Sequence, residues 1–214
     1  MATAQKMPRT ISVTGTGVVD TAPDMALISL AVTHEAKTAG AAMAQVSDDM
    51  TALLARLQTL GLDGKDIQTN RLSISPVWDN RRYENGQAPR ITGFVASNGL
   101  SLRVRDLGAL GGILDAVITD GANEMSGLRF TVDDPKPHQD AARARAVADA
   151  MNKAQQLANA AGVTLGPLRT MSEHGGGRAP VMMEMAAARS ADVPIAAGEV
   201  SLSVSVAMVF DILP

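Results

Sequence analysis

Two stretches of this chain, 101 positions apart, carry the same apolar stripe and the same stop signal. In the first, Met43, Val46, Met50, Leu53, Leu57 and Leu60 recur at steps of three and four, and Gly61 follows. In the second, Ala144, Val147, Met151, Ala154, Ala158 and Ala161 do the same, and Gly162 follows. Spacing of this kind puts the apolar positions on one face of a helix. A glycine just past the last turn supplies the left-handed residue that ends it. Each glycine precedes an aliphatic-x-Thr run, Ile67-Gln68-Thr69 and Leu168-Arg169-Thr170. The spacing therefore predicts two helices packed on a sheet, within strand–helix–strand units 25–78 and 124–173 related by internal duplication. Coincidence of two generic amphipathic helices is the alternative.

The remaining pattern extends this frame. Thr10 to Val19 alternates apolar and polar residues, and Pro23-Asp24 separates it from a second strand, Met25 to Thr33. Thr38 is placed to cap the first helix. Ile67 to Trp78 and Ile91 to Val104 form a hairpin around a polar loop with an Asn85-Gly86 turn. In the first of these strands, Ile67, Thr69, Arg71 and Ser73 are expected opposite Leu72 and Ile74. Asp106 is expected to cap a shorter helix striped by Leu107, Leu110, Leu114, Val117 and Ile118. Glu124 to Val132 is a strand, and Asp134-Pro135 opens the alanine-rich helix. On that helix Arg145, Asp149 and Lys153 stand four apart, which places charge pairs on a solvated face. Thr164 to Glu173 and Val200 to Ile212 are strands; in the last, Val200, Leu202, Val204, Val206, Met208 and Phe210 face one side and Ser201, Ser203 and Ser205 the other. The fold class is α+β, a largely antiparallel sheet with helices packed on it.

Composition narrows the function. Nineteen basic against 22 acidic residues give a net charge of −3, without the basic footprint of a nucleic-acid binder. With no cysteine, thiol catalysis and disulfides are excluded. No apolar run reaches the length of a membrane helix. Ala2-Thr3-Ala4-Gln5 reads both as the small-residue end of a leader cleavage site and as an ordinary N-terminus.

No catalytic residue, cofactor or metal ligand is assigned. Gly15-Thr16-Gly17 lacks the third glycine of a dinucleotide loop, with Asp20 there instead, and fits a bulge or close backbone crossing. Ser172, Glu173 and His174 have the residue types of a hydrolase triad, but strand alternation turns Glu173 away from the other two. His34, His138 and His174 are far apart and form no metal motif. Asp133-Asp134 suits a helix N-terminus, and Asp48-Asp49 a solvated helix face. Met182, Met183 and Met185 near His174 have the donor types that suit Cu(I). Methionine also serves as flexible filler at contact surfaces, and subunit contact, pore lining or disorder suits the 175–198 segment better. Trp78, Arg81, Arg82 and Tyr83 gather interface residue types at the hairpin tip. Together with the three methionines they are the expected contacts of a homo-oligomer.

Ile11-Ser12-Val13-Thr14-Gly15-Thr16-Gly17 followed by Pro23-Asp24-Met25-Ala26 resembles the SIMPL-domain family. So do Asp66-Ile67-Gln68-Thr69, Ile91-Thr92-Gly93-Phe94, Gly121-Ala122-Asn123 and the run from Ala142 to Ala150, in the family's order from Ile11 to Ile212. As a set these motifs are specific; singly, none is. The resemblance implies one domain over 10–214, after a tail at 1–9 that fits a signal-peptide remnant; the Gly/Met-rich insertion at 175–198 is longer than the family pattern leads one to expect. It also implies a periplasmic, self-assembling protein without catalytic residues, linked to oxidative or envelope stress. A small-ligand or copper-binding periplasmic module using the methionine segment is the alternative.

Overall fold

The computed structural model describes residues 9–79, 89–174 and 195–213. The elements follow the expected order: strands β1 (Thr10–Thr21) and β2 (Met25–Ala36), helix α1 (Ala39–Thr59), strands β3 (Ile67–Asp79) and β4 (Arg90–Val104), helix α2 (Leu110–Thr119), strand β5 (Glu124–Thr131), helix α3 (Lys136–Ala160), and strands β6 (Thr164–His174) and β7 (Val200–Leu213). All strand pairings are antiparallel, and they make two sheets, ordered β1-β7-β6 and β3-β4-β2-β5. The chain divides into two compact units. One holds β1, α3, β6 and β7; the other holds residues 23–133.

In the unit spanning 23–133, α1 lies across β2 and β4. Its stripe Val46, Met50, Leu53 and Leu57 is buried, as are Ile28, Val32, Leu100 and Leu102 of the sheet. Thr38 caps α1 as expected, its hydroxyl accepting from the Ala41 amide at 3.2 Å. Helix α2 begins at Leu110, later than its stripe suggests. Asp106 instead closes a turn, accepting from the Gly108 amide, and Ile118 is exposed.

A bulge at Asn70 corrects the expected faces of β3. Thr69 stands opposite Leu100 and Arg71 opposite Gly99, so one extra residue enters the strand. Ile67 and Thr69 therefore share a face with Leu72 and Ile74, while Arg71 and Ser73 take the other.

In the other unit, α3 lies across β1 and β7. Val13, Val204, Val206, Met208 and Phe210 meet a row of buried alanines at strict steps of four, Ala142, Ala146, Ala150, Ala154 and Ala158. This differs from the stripe read in the sequence: Ala144 is exposed, Val147 is half-buried and Met151 is 54% exposed. Only Ala154 and Ala158 keep the 101-residue offset, from Leu53 and Leu57. The reason lies in β1. A Cβ on Gly15 would overlap the Ala146 carbonyl and approach the Ala150 Cβ to 2.7 Å, and one on Gly17 would overlap the Ala142 carbonyl. Bare backbone under α3 admits only a row of methyl groups above it.

The duplication holds in a revised form. β2-α1-β3-β4 gives a sheet ordered first–third–second, β2-β4-β3, and β1 with α3-β6-β7 gives β1-β7-β6, the same order. β5 is not the counterpart of β2, because it pairs with β2 in the other sheet, away from β6. The helix stops also correspond. Leu60, Gly61 and Leu62 donate to Arg56, Gln58 and Leu57; Ala161, Gly162 and Val163 donate to Leu157, Asn159 and Ala158, each 101 residues on. Both glycines have positive φ, 87° and 63°.

Candidate functional site

Each sheet exposes two edge strands, and an unpaired edge is a template for another chain. The two units treat their edges unequally. On β1, three side chains of α3 cover the outward backbone. Lys153 donates to the Thr14 carbonyl at 3.0 Å, the Asp149 carboxylate accepts from the Thr16 amide at 2.8 Å, and Arg145 donates to the Val18 carbonyl. Residues four apart on a helix rise at about the pace of alternate residues on a strand. A row of three therefore meets three successive outward positions. Lys153 also binds Asp149 at 2.7 Å, and these bonds hold the carboxyl below the usual carboxylate range, the lysine first and the Thr16 amide second. These charges are open to solvent, as the spacing implies, and they also bond the strand edge.

β5 is blunted differently. It has eight residues, a register shift at Ser29/Leu30, and a Ser126 hydroxyl donating to the Ser29 carbonyl. β3 and β6, with 13 and 11 residues, have no such cover among the described residues. Among the described residues, nothing bonds the outward backbone of Thr69 to Pro76 or of β6. These two strands occupy the same place in the two repeats, and in each repeat the helix passes over the other two strands.

The uncovered strands carry apolar side chains. Leu72 (63% exposed), Ile74 and Trp78 (49%) lie along β3, and Ile91 stands opposite Trp78. On β6, Leu168 and Met171 are exposed. Arg143 binds Glu173 through Nε at 2.6 Å, so α3 turns this side toward β6, and exposed Met151 lies two turns along it. Such rows of large apolar groups on an open edge are uncommon in a chain that works alone.

Trp78 is thus the described member of the expected contact set; Arg81, Arg82, Tyr83, Met182, Met183 and Met185 lie outside the described residues. Ser172 and His174 share a strand with Glu173, whose carboxylate is taken by Arg143, which lowers its pKa. His34 binds Asp49 at 2.6 Å, which ties β2 to α1, while the Asp49 side chain stays 41% exposed. Asp134 accepts from the Lys136 amide at the start of α3, whereas Asp133 receives the Arg105 guanidinium. Among the described residues no group of three or more His, Asp or Glu could hold a metal.

Asp66 escaped the sequence reading. It is 6% exposed, the one buried charge among the described residues. Arg105 donates to both its oxygens, at 3.0 and 3.3 Å, and Arg103 Nε lies 3.2 Å away. The Arg105 hydrogen bonds hold the Asp66 carboxyl below the usual range against the opposing effect of burial. The signal available was Arg103-x-Arg105 at a strand end, which places both guanidinium groups on one face. The cluster borders a 330 Å³ cleft with Leu60, Leu62 and Ile113, but its charges satisfy one another.

A family model described as SIMPL, protein of unknown function (DUF541), matches residues 11–210. The chain is 40% identical over 215 residues to the 26 kDa periplasmic immunogenic protein of Brucella melitensis, covering 96% of this chain and 85% of that protein. The Brucella abortus protein of the same description matches to the same extent. The uncharacterized protein YggE of Escherichia coli is 30% identical over 164 residues, 77% of this chain and 65% of that protein.

Proposed function

Because the chain belongs to the SIMPL family, we propose that it is a non-enzymatic, self-assembling protein of the bacterial periplasm with a scaffolding or stress-protective role. The periplasmic placement follows the description of its Brucella relatives. No helix among the described residues is long and apolar enough to cross a membrane. The observation that carries the assembly reading is the contrast between edges. β1 is covered by Arg145, Asp149 and Lys153, while from Thr69 to Pro76 the outward backbone of β3 has no partner among the described residues, and Leu72, Ile74 and Trp78 lie along the strand. A second copy of the chain is the fitting occupant, since an added strand satisfies the backbone and the apolar row specifies register. Among the described residues, the clusters around Asp66 and around Arg143 and Glu173 consist of ion pairs that satisfy each other. Sedimentation velocity of the full chain at micromolar concentration tests it. Discrete oligomers are expected, and Leu72→Lys with Ile74→Lys should return the monomer at unchanged helical and strand content. A wild-type protein that sediments as a monomer would overturn the proposal.

A further inference from the structure

The four-stranded sheet has one face under α1 and one face away from it. On the far face, neighbouring strands set two levels of side chains side by side. Leu27 of β2 stands between Arg103 of β4 and Arg129 of β5, and one level along, Ser29 stands between Ser101 and Gly127. Gly127 leaves the second level incomplete. A Cβ there would meet nothing within 4 Å, and the result is a hollow of about 340 Å³ lined by Leu27, Ser29, Ser101, Gly127 and Arg129.

The polar groups around it are not equally committed. Arg103 is spent on Asp66 and on the Lys65 carbonyl. Arg129 has no partner among the described residues, and neither does the Ser29 hydroxyl. Ser101 accepts from the Asn70 amide at 2.7 Å, which leaves its own proton free to donate. The hollow thus offers a guanidinium and two hydroxyl donors beside an apolar leucine, at the lower end of the size range of small-molecule sites.

We propose that this hollow binds a small organic carboxylate, its head group on Arg129, Ser29 and Ser101 and a short apolar body over Leu27. Guanidinium and carboxylate match in shape and can share two hydrogen bonds. The glycine supplies room, and the guanidinium, which can only donate, selects an acceptor. The site is independent of the open β3 edge, because it faces away from the apolar row there.

Titration of the full-length protein with hexanoate, followed by calorimetry and by amide shifts, is the test. Saturable binding with a Kd of about 1 mM is expected, and acetate and 1-hexanol, each lacking half of the ligand, should bind at least about tenfold more weakly. Arg129→Gln should weaken hexanoate by about tenfold. Gly127→Leu should abolish binding, since its side chain starts from a Cβ with open space around it and occupies the hollow, and Gly127→Ala should weaken binding at an unchanged melting temperature. Failure of hexanoate to saturate, equal affinity in the Arg129 and Gly127 variants, or acetate binding as tightly as hexanoate would each overturn the proposal.

Discussion

Gly15 and Gly17 are the residues whose chemistry is simplest and whose replacement is least tolerated. Any side chain at either position drives into carbonyl oxygens of α3, which are fixed by the helix and cannot swing aside. Gly15→Ala should therefore cost about 3 kcal/mol of stability in denaturant titration, while Gly127→Ala, with open space above it, should cost under about 1 kcal/mol. The sequence marked this crossing, because two glycines at alternate strand positions put bare backbone on one face. Asp66 was hidden for the opposite reason. Asp63-Gly64-Lys65-Asp66 looks like a polar turn, and its partner Arg105 is 39 residues away. The folded carboxyl is depressed, so its contribution is present above the unfolded value and lost as pH falls through the folded one. Wild-type stability should hold through neutral pH and fall once pH drops below about 4, the unfolded aspartate value. Asp66→Asn should be less stable by about 2 kcal/mol at pH 7 and show a shallower acid limb, which melting temperatures from pH 7 to pH 2 would record.

At the scale of elements, periodicity identified the helices but misjudged which face of α3 is buried. A pattern made almost wholly of alanine carries little amphipathic contrast, so steps of three and four fit as well as steps of four. The strand beneath decides between them, and it is distant in sequence. The helix stops were legible because positive φ leaves a residue signature. Gly61→Ala and Gly162→Ala should each cost about 1 kcal/mol. The side-chain cover of β1 was half legible: the spacing of Arg145, Asp149 and Lys153 is plain, but which neighbour it serves is not. Replacing all three by alanine removes the bonds to Thr14, Thr16 and Val18 and exposes a third long edge. Light scattering should then show larger, less uniform particles than the wild type forms. If the triple variant matches the wild-type size distribution, the three side chains do not guard that edge.

The whole chain reads as one repeat carried inside another. The outer copy begins with β1, is interrupted by residues 23–133, and resumes at α3; the inner copy is continuous and has gained α2 and β5. This arrangement is hard to read from sequence, because β5 stands directly before α3 as β2 stands before α1, whereas the true counterpart of β2, β1, lies far upstream. The inserted unit has the features of a part that folds alone. It has its own core of Ile28, Val32, Leu53, Leu57, Leu100, Leu102 and Val117. Its two ends also meet: the Asp24 amide donates to the Thr131 carbonyl, and the Asp24 carboxylate accepts from the Asp133 amide at 2.7 Å. Ends fixed side by side let an insertion form without straining its host. Residues 23–133 expressed alone should therefore melt cooperatively, with the α1 and α2 helical signal intact in circular dichroism. Residues 134–214 alone should not, because they lack the glycine-bearing strand on which Ala142, Ala146 and Ala150 rest. Joining residues 9–22 to residue 134 through a short linker should restore a cooperative transition to that part. A cooperative melt of 134–214 without β1 would mean that α3 finds a seat other than Gly15 and Gly17, and the nested-repeat account would fail with it.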